Sequence, residues 1–262
     1  MHLADGIVTN APLLVALDLV GAAGVSVALT RFVARDSRRI AWTGTLAAFV
    51  LAAQAINVPM VPGASAHVIG AGLLALALGP AEAIVAMTAV LLVQALMFGD
   101  GGITTLGLNV LDMAVLPVLI VQGLRRVFGE TKRGLTLTAF TGTFVGTVAG
   151  AAVLATTLVL GADAPARVTF GWIVGVQGVA GLIEGVLAAV AVRHLIGRAP
   201  GLLSRRPSAL VALDSNATRR ESRRGLVLAM VAIAVALMLL PLASSTPDAL
   251  EVVVQRVHLA VR

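Results

Sequence analysis

The chain has 262 residues, of which 58% are hydrophobic and 12% charged, with a mean hydropathy of +0.99 and a net charge of +6. A soluble domain of this length cannot hide so much apolar surface, so the composition excludes a soluble enzyme or binding module and predicts an integral membrane protein. The absence of cysteine excludes disulfides, thiolate metal sites and a cysteine nucleophile.

The first ten residues, Met1 to Asn10, lack the basic region of a signal peptide. The apolar run that follows them is also too long for the hydrophobic segment of such a peptide. We therefore expect Met1 to remain the terminus. Its large neighbour His2 should disfavour removal of the methionine, which leaves a free amine at the start of the chain.

Long apolar runs without strand-like alternation predict eight membrane helices. They cover roughly residues 12–33, 40–57, 67–79, 81–98, 108–125, 135–161, 170–194 and 226–243. The third helix would be only ~20 Å long, less than the ~30 Å hydrocarbon core. Short helices at membrane depth are tolerated where they line a protein interior, so we expect the centre of the molecule here.

Basic residues set the predicted orientation, because cytoplasmic loops carry the excess of Lys and Arg. Sixteen of the 19 basic residues follow helix 1, follow helix 5 or lie between helices 7 and 8; only Arg167, Arg256 and Arg262 do not. The N-terminus and the loops at 58–66, 99–107 and 161–169 should then face outward. The arginine clusters are interpreted as topology determinants and lipid-phosphate anchors, not as a nucleic-acid surface.

The predicted fold class is therefore an all-α polytopic membrane protein. A seven-helix bundle with its N-terminus outside is followed by one appended C-terminal transmembrane helix. Residues 1–199 form the bundle, 200–225 an arginine-rich cytoplasmic linker, and 226–262 the appended helix with an outer tail.

Met1-His2 and His67 contain the ligand types of a nitrogen-only metal site. The terminal amine, the deprotonated His2 amide and a His2 ring nitrogen can form fused chelate rings, and an imidazole nitrogen of His67 could fill the fourth position. Such a set suits Ni(II) or Cu(II) and can hold Co(II), whereas Mg and Ca prefer oxygen. From spacing alone, the alternative that His67 is an ordinary helix-end histidine stays open.

A glycine-rich outward loop runs from Asp100 to Asn109. It is either a flexible turn or a cover whose Asn109 or threonine side chains hydrogen-bond the metal ligands. No GxxxxGK[ST] motif occurs in the sequence, so the chain should not hydrolyse ATP through a P-loop. The acidic residues within or near predicted helices are expected to face the interior, where structural hydrogen bonding is favoured over ion relay; they are Asp18, Asp112 and Glu184.

Several motifs together resemble the CbiM/NikM family, the substrate-binding components of energy-coupling factor transporters for cobalt and nickel. They are Met1-His2-x-x-Asp5-Gly6, Gly63-x-Ser65-x-His67-x-x-Gly70-x-Gly72-Leu73, Leu78-Gly79-Pro80, Gln94-Ala95-Leu96 and Asp100-Gly101-Gly102-Ile103-Thr104-x-Leu106-Gly107-x-Asn109. The resemblance covers about residues 1–199. A further stretch, Pro247-Asp248-Ala249-Leu250-Glu251, resembles the PDGLE motif of a CbiN-like module, with Ala249 in place of Gly.

This resemblance implies that Met1, His2 and His67 bind the transported ion. The neighbouring motif residues would support these ligands or form the occluding loop; they are Asp5, Ser65, Asp100, Gly101, Gly102, Thr104 and Asn109. It also implies a membrane coupling subunit and two ATPase subunits as partners, and a CbiN-like small subunit is a further candidate. No prosthetic group is expected, since Co²⁺ or Ni²⁺ is the cargo.

The leading hypothesis is cobalt(II) uptake for cobalamin synthesis across the bacterial cytoplasmic membrane, with nickel(II) as the alternative. A rival from another class is a membrane-embedded metalloenzyme. It would need an open coordination position and a nearby general base. A third interpretation is a structural membrane subunit without a ligand, in which His2 and His67 would be dispensable.

Overall fold

The computed structural model describes residues 2–32, 37–198 and 246–257. The helices and strands in these ranges are α1 (Ala11–Arg31), α2 (Ser37–Gln54), β1 (Val58–Val61), β2 (Ala64–Ala66), α3 (Ala71–Leu78), α4 (Pro80–Phe98), α5 (Leu106–Phe128), α6 (Lys132–Gly161), α7 (Ala166–Arg198) and α8 (Ala249–Val257). The predictions for Met1, for the linker 200–225 and for the helix 226–243 lie outside the described residues.

The expected all-α, multi-pass membrane fold is confirmed, since α1, α4, α5, α6 and α7 are each long and apolar enough to cross a bilayer. Large apolar side chains such as Leu19, Met97 and Val190 point outward. Buried amides are instead matched to backbone carbonyls: Gln54 Nε2 donates to Ile69 O at 2.6 Å and Gln122 Nε2 to Ala75 O at 2.6 Å. The bundle thus keeps its polar groups inside, where each needs a partner.

A short antiparallel hairpin stands where only a loop was expected. Val58 pairs with Ala66 and Pro59 with Ser65, and Gly63 takes the turn with a φ of +86°. The two strands are short and largely formed of small or β-branched residues, so the sequence carries no alternating pattern long enough to identify them. The hairpin places β2 immediately before His67.

The predicted start of the third helix at residue 67 is wrong. Helix α3 begins at Ala71, after Gly70 in the left-handed region with a φ of +82°, and His67 lies in a non-helical link between β2 and α3. A left-handed residue cannot continue a right-handed helix backward. The imidazole of His67 is therefore presented by a bend and not by a helix.

Close contact between α1 and α5 fixes the beginning of α5. A Cβ atom on Gly21 would collide with the carbonyl oxygen of Gly107, and one on Gly107 would lie 2.5 Å from Asp18 Cα. The Asp18 carboxylate also accepts a 2.7 Å hydrogen bond from Leu108 N. Asp18 therefore has the structural role that was favoured for it, and it holds the turn of α5 that carries Asn109.

Candidate metal site at the hairpin end of the bundle

The backbone of the N-terminal segment is held by the start of α5 and the loop before it. Leu3 N donates to Asn109 Oδ1 at 2.8 Å. The Leu3 carbonyl accepts hydrogen bonds from Asn109 Nδ2 at 3.0 Å, Thr105 Oγ1 at 2.6 Å and Gly102 N at 2.8 Å. Leu3 is fully buried, so the residue next to His2 is fixed within the bundle.

Asp5 holds the loop from the other side. Its carboxylate accepts hydrogen bonds from Ile103 N at 3.1 Å and Thr104 N at 2.8 Å. Burial alone would raise the pKa of Asp5, but these hydrogen bonds outweigh it and lower the pKa. A Cβ on Gly102 would lie 2.5 Å from Asp5 N, which explains a glycine at this position. The loop before α5 and the N-terminal segment are therefore held together by hydrogen bonds from both Leu3 and Asp5.

His2 and His67 lie next to each other. Their ring centroids are 5.1 Å apart, their planes are 13° from parallel, and both residues are buried. Two imidazoles that bind one ion in neighbouring positions, with metal–nitrogen bonds of about 2.0 Å, have ring centres roughly 4.5 Å apart. The pair is thus close to the separation that a shared ion requires.

Asp100 forms a hydrogen bond with the His2 ring. Nδ1 of His2 lies 3.0 Å from Asp100 Oδ1, and Nε2 is buried without a hydrogen-bond partner in the part of the chain that the structure describes. Burial lowers the pKa of His2 more than Asp100 raises it, so this contact is a hydrogen bond from a neutral ring. Burial would raise the pKa of Asp100, but His2 opposes this and the pKa falls to about 2.

His67 is also neutral near pH 7, because burial, with smaller contributions from nearby positive charge, lowers its pKa to about 3. Its Nδ1 lies 3.0 Å from the Val68 carbonyl oxygen. When Nδ1 donates a proton to that carbonyl, Nε2 carries the lone pair that a metal ligand needs. Both rings are therefore in the protonation state that binds cations.

Glu184 on α7 fixes the bend that carries His67. Its carboxylate accepts a 3.1 Å hydrogen bond from Ile69 N and a 2.6 Å hydrogen bond from Gly70 N. Thr147 Oγ1 lies 3.4 Å from the same group. A carboxylate inside an apolar helix was the available sequence signal. Its partner could not be read from the sequence, because it is backbone from a distant segment.

Ser65 contacts the C-terminal segment. Its amide donates to Pro247 O at 2.9 Å and its hydroxyl to Thr246 O at 2.7 Å, so residues 246–248 lie along β2.

Asp112, one turn below Asn109 on α5, is fully buried, and neither of its oxygens has a hydrogen-bond partner among the described residues. The structure therefore brings most of the motif residues together but gives Asp112 no assigned contact.

Side chains alone do not complete a metal site here. Within residues 2–32, 37–198 and 246–257, no group of three His, Cys, Asp or Glu side chains is arranged to hold an ion. Two histidines supply two ligands, so further ligands have to be groups other than His, Cys, Asp and Glu side chains, such as main-chain nitrogen, or come from outside these ranges.

The sequence profile of the CbiM family, described as the cobalt uptake substrate-specific transmembrane region, matches residues 2–202. A cobalt transport protein CbiM of Streptomyces coelicolor is 32% identical over 184 residues, covering 68% of this chain and 79% of that protein. A fused nickel transport protein NikMN of Rhodobacter capsulatus is 44% identical over 75 residues, covering 29% of this chain and 22% of that protein.

A crystal structure of a truncated transition metal transporter is also similar, with a TM-score of 0.66 and 29% identity. The match covers 75% of this chain and 99% of that chain. The resemblance of about residues 1–199 to the CbiM family is therefore confirmed, whereas the resemblance of Pro247–Glu251 to a CbiN-like module stays a prediction. The proteins in these comparisons are metal transport proteins, so the metalloenzyme interpretation is wrong.

Proposed function

We propose a function for this chain on the basis of its family: it belongs to the CbiM family and is a multi-pass membrane component of cobalt and nickel transport. It is the substrate-binding component of an energy-coupling factor transporter that imports a divalent metal ion across the cytoplasmic membrane. The observation that supports this function best is the pair of buried, neutral imidazoles, His2 and His67, at one end of the bundle.

We propose that the ion is held by four nitrogens: the Met1 amine, the His2 amide, a His2 ring nitrogen and Nε2 of His67. The amide of Leu3 donates to Asn109 and its carbonyl accepts from Asn109 and Thr105, which fixes the residue that follows the chelate. Nitrogen ligands favour Co(II), Ni(II) or Cu(II) over Mg and Ca, which prefer oxygen ligands.

Loading changes the contacts of His2. Only Nδ1 of His2 closes a small chelate ring with the amide nitrogen of the same residue. Binding therefore exchanges the 3.0 Å contact between Nδ1 and Asp100 for a bond to the ion. The Asp100 carboxylate then lies beside a cation, where its negative charge favours the loaded state.

The loop at 99–107 occludes the ion from the outer side, because it is already joined to the N-terminal segment through Asp5 and Leu3. Release inward follows when a membrane coupling subunit reorients the bundle. Two separate ATPase subunits supply the energy, in keeping with the absence of a P-loop motif from the sequence. A CbiN-like segment, from this chain or from a small subunit, assists the loading of the metal ion.

We assign cobalt as the cargo, with nickel as the alternative, on overall likeness and the PDGLE-like stretch near Asp248. The two ions accept the same nitrogen ligands, so the difference between their affinities is expected to be small. The domain boundaries at 199 and 225 likewise remain a proposal.

The proposal is tested by loading the purified, metal-free chain in detergent with Co²⁺, Ni²⁺ or Mg²⁺. We expect about one equivalent of cobalt or nickel to remain bound after buffer exchange, and no retained magnesium, because the ligands are nitrogens. The metal content is measured by mass spectrometry of the digested protein. Retention of magnesium at the same level as cobalt would contradict a nitrogen site.

A further inference from the structure

An open groove of about 530 Å³ lies between α7, the hairpin and α8. Val61 of β1, Trp172 of α7 and Arg256 of α8 contribute to its lining. The groove runs along the first turns of α7, a helix long and apolar enough to cross a bilayer. A ligand in this position would therefore contact both the hydrocarbon of the membrane and the water at its surface.

Two glycines of α7 leave the groove unfilled. Gly171 and Gly175 are exposed and lie one helical turn apart on the same face, and a Cβ atom on either would meet no atom within 4 Å. Deeper in the same helix, a Cβ on Gly185 would lie 2.8 Å from the carbonyl oxygen of Phe140, so that glycine permits close packing against α6. The described part of the chain gives no such packing reason for Gly171 and Gly175, which together form an apolar channel.

Two positive charges stand at the rim of this channel. Arg167 at the start of α7 and Arg256 near the end of α8 both line the groove, and both side chains are exposed. The guanidinium carbon of Arg256 lies 4.5 Å from the ring centre of Trp172, a cation–π contact that holds this charge at the groove. Neither arginine forms an ion pair with an acidic side chain of the described residues.

These arginines are also exceptions in the charge pattern of the chain. Sixteen of the 19 basic residues lie in segments that are predicted to be cytoplasmic, and Arg167 and Arg256 do not. Because basic residues on the opposite side work against the predicted orientation, their presence needs another reason. Trp172 is a residue type that is enriched where a membrane meets water, which places the pair at the depth of lipid headgroups.

We propose that the groove binds one anionic phospholipid, with its phosphate between Arg167 and Arg256 and an acyl chain along Gly171 and Gly175. The planar forks of two guanidinium groups match phosphate oxygens, and the apolar channel matches a hydrocarbon chain. A bound lipid would tie α8 to α7 beside the hairpin. This inference does not depend on the metal site.

A lipid suits the groove better than two other occupants. Inorganic phosphate would use only the charged rim and leave the channel empty. The apolar helix predicted at residues 226–243 contains no acidic residue, so in this groove it would leave both arginines without a counter-charge. An anionic phospholipid alone combines the negative charge with the apolar chain.

Trp172 provides the measurement, because the chain has only two tryptophans and Trp42→Phe leaves Trp172 as the single emitter. The full-length Trp42→Phe protein is reconstituted into phosphatidylcholine vesicles that contain a minor fraction of phosphatidylglycerol. Bromine atoms, which quench tryptophan fluorescence at contact, are placed on the acyl chains of one lipid or the other. We expect phosphatidylglycerol to be preferred over phosphatidylcholine at Trp172 about tenfold, since each arginine near the membrane surface favours an anionic lipid.

Arg167→Gln tests the charge at the rim. Glutamine keeps much of the length and polarity of the side chain and leaves the contact between Arg256 and Trp172 in place. We expect the preference for phosphatidylglycerol to fall to about twofold. The matched control is Arg126→Gln, which removes an exposed arginine from the last turn of α5 and should retain the full preference.

Gly175→Leu tests the channel. Leucine is a good helix former and its Cβ meets no atom here, so the helix should persist while the side chain fills the space proposed for the acyl chain. Quenching by brominated chains of either lipid should fall clearly. Gly197→Leu, at an exposed position near the other end of α7 where a Cβ also meets no atom, should leave quenching unchanged.

Equal quenching by the two lipids in the Trp42→Phe protein would overturn the proposal, as would an undiminished preference in Arg167→Gln. Loss of the preference on adding inorganic phosphate at constant ionic strength would indicate a site for the free anion and contradict a lipid site. Unchanged quenching in Gly175→Leu would contradict the position of the acyl chain. Absence of quenching by any brominated lipid would show that a protein segment covers the groove.

Discussion

Two glycines added before Met1 are expected to lower the affinity for cobalt or nickel about a thousandfold, or about 4 kcal/mol. The added residues turn the Met1 amine into an amide and place the free amine too far from His2 to close the fused chelate. Two residues are needed, because the amine, the two amides and the imidazole of Gly-Met-His would form a four-nitrogen chelate of their own. Affinity is measured by competition with a coloured chelator, on protein produced with a cleavable leader that leaves either Met1 or Gly-Gly-Met1.

The matched control carries the same two glycines after Arg262. It changes length and composition equally but leaves the N-terminus free, so its affinity should equal that of wild type. Equal affinity of the N-terminally extended protein and wild type would eliminate the amine as a ligand.

His67→Ala is the second substitution with a large expected effect, a loss of about a hundredfold in affinity. Three nitrogens of the chelate would remain, and water or another weak ligand would replace the imidazole. The bend itself should persist, because Glu184 holds Ile69 and Gly70 through their backbone amides and not through the His67 ring. Thermal unfolding of the variant in detergent checks this.

The control is His194→Ala, which removes an exposed histidine from the far part of α7. It should leave metal affinity unchanged, since its ring has no part in the proposed site. If His67→Ala and His194→Ala bind cobalt equally well, His67 is not a ligand.

Much of the membrane architecture could be predicted from hydropathy, because lipid requires long apolar helices and leaves few alternatives. Each of the first seven predicted ranges overlaps a helix of the structure, from Ala11–Arg31 to Ala166–Arg198. The boundaries were least predictable around His67. There, the left-handed Gly70 and a short hairpin replaced the expected helix start, and neither changes the local hydropathy.

The elements of the candidate site could be identified only in part, for a similar reason. The motif around His67 and the loop from Asp100 to Asn109 are continuous in sequence, so their resemblance to a family was visible. Glu184 accepts a hydrogen bond from Gly70, which lies 114 residues earlier in the chain. Asp248 forms a strand bridge with Ser65, which lies 183 residues earlier. No local pattern encodes such contacts.

The packing of the appended C-terminal part could not be predicted from the sequence either. It was predicted as a separate unit after the linker 200–225, and that division stays a prediction. Within the described residues 246–257, however, Leu250 and Val253 pack into the core of the bundle. The sequence of α8 is amphiphilic, which indicates that one face is covered, but amphiphilicity does not identify the covering surface.

We propose that four nitrogens, two of them from the main chain at Met1-His2, hold the transported ion. X-ray absorption spectroscopy of the nickel-loaded wild-type chain tests it most directly. We expect four nitrogen neighbours in a square plane, with two of the scattering paths characteristic of imidazole. A six-coordinate spectrum dominated by oxygen neighbours would contradict it.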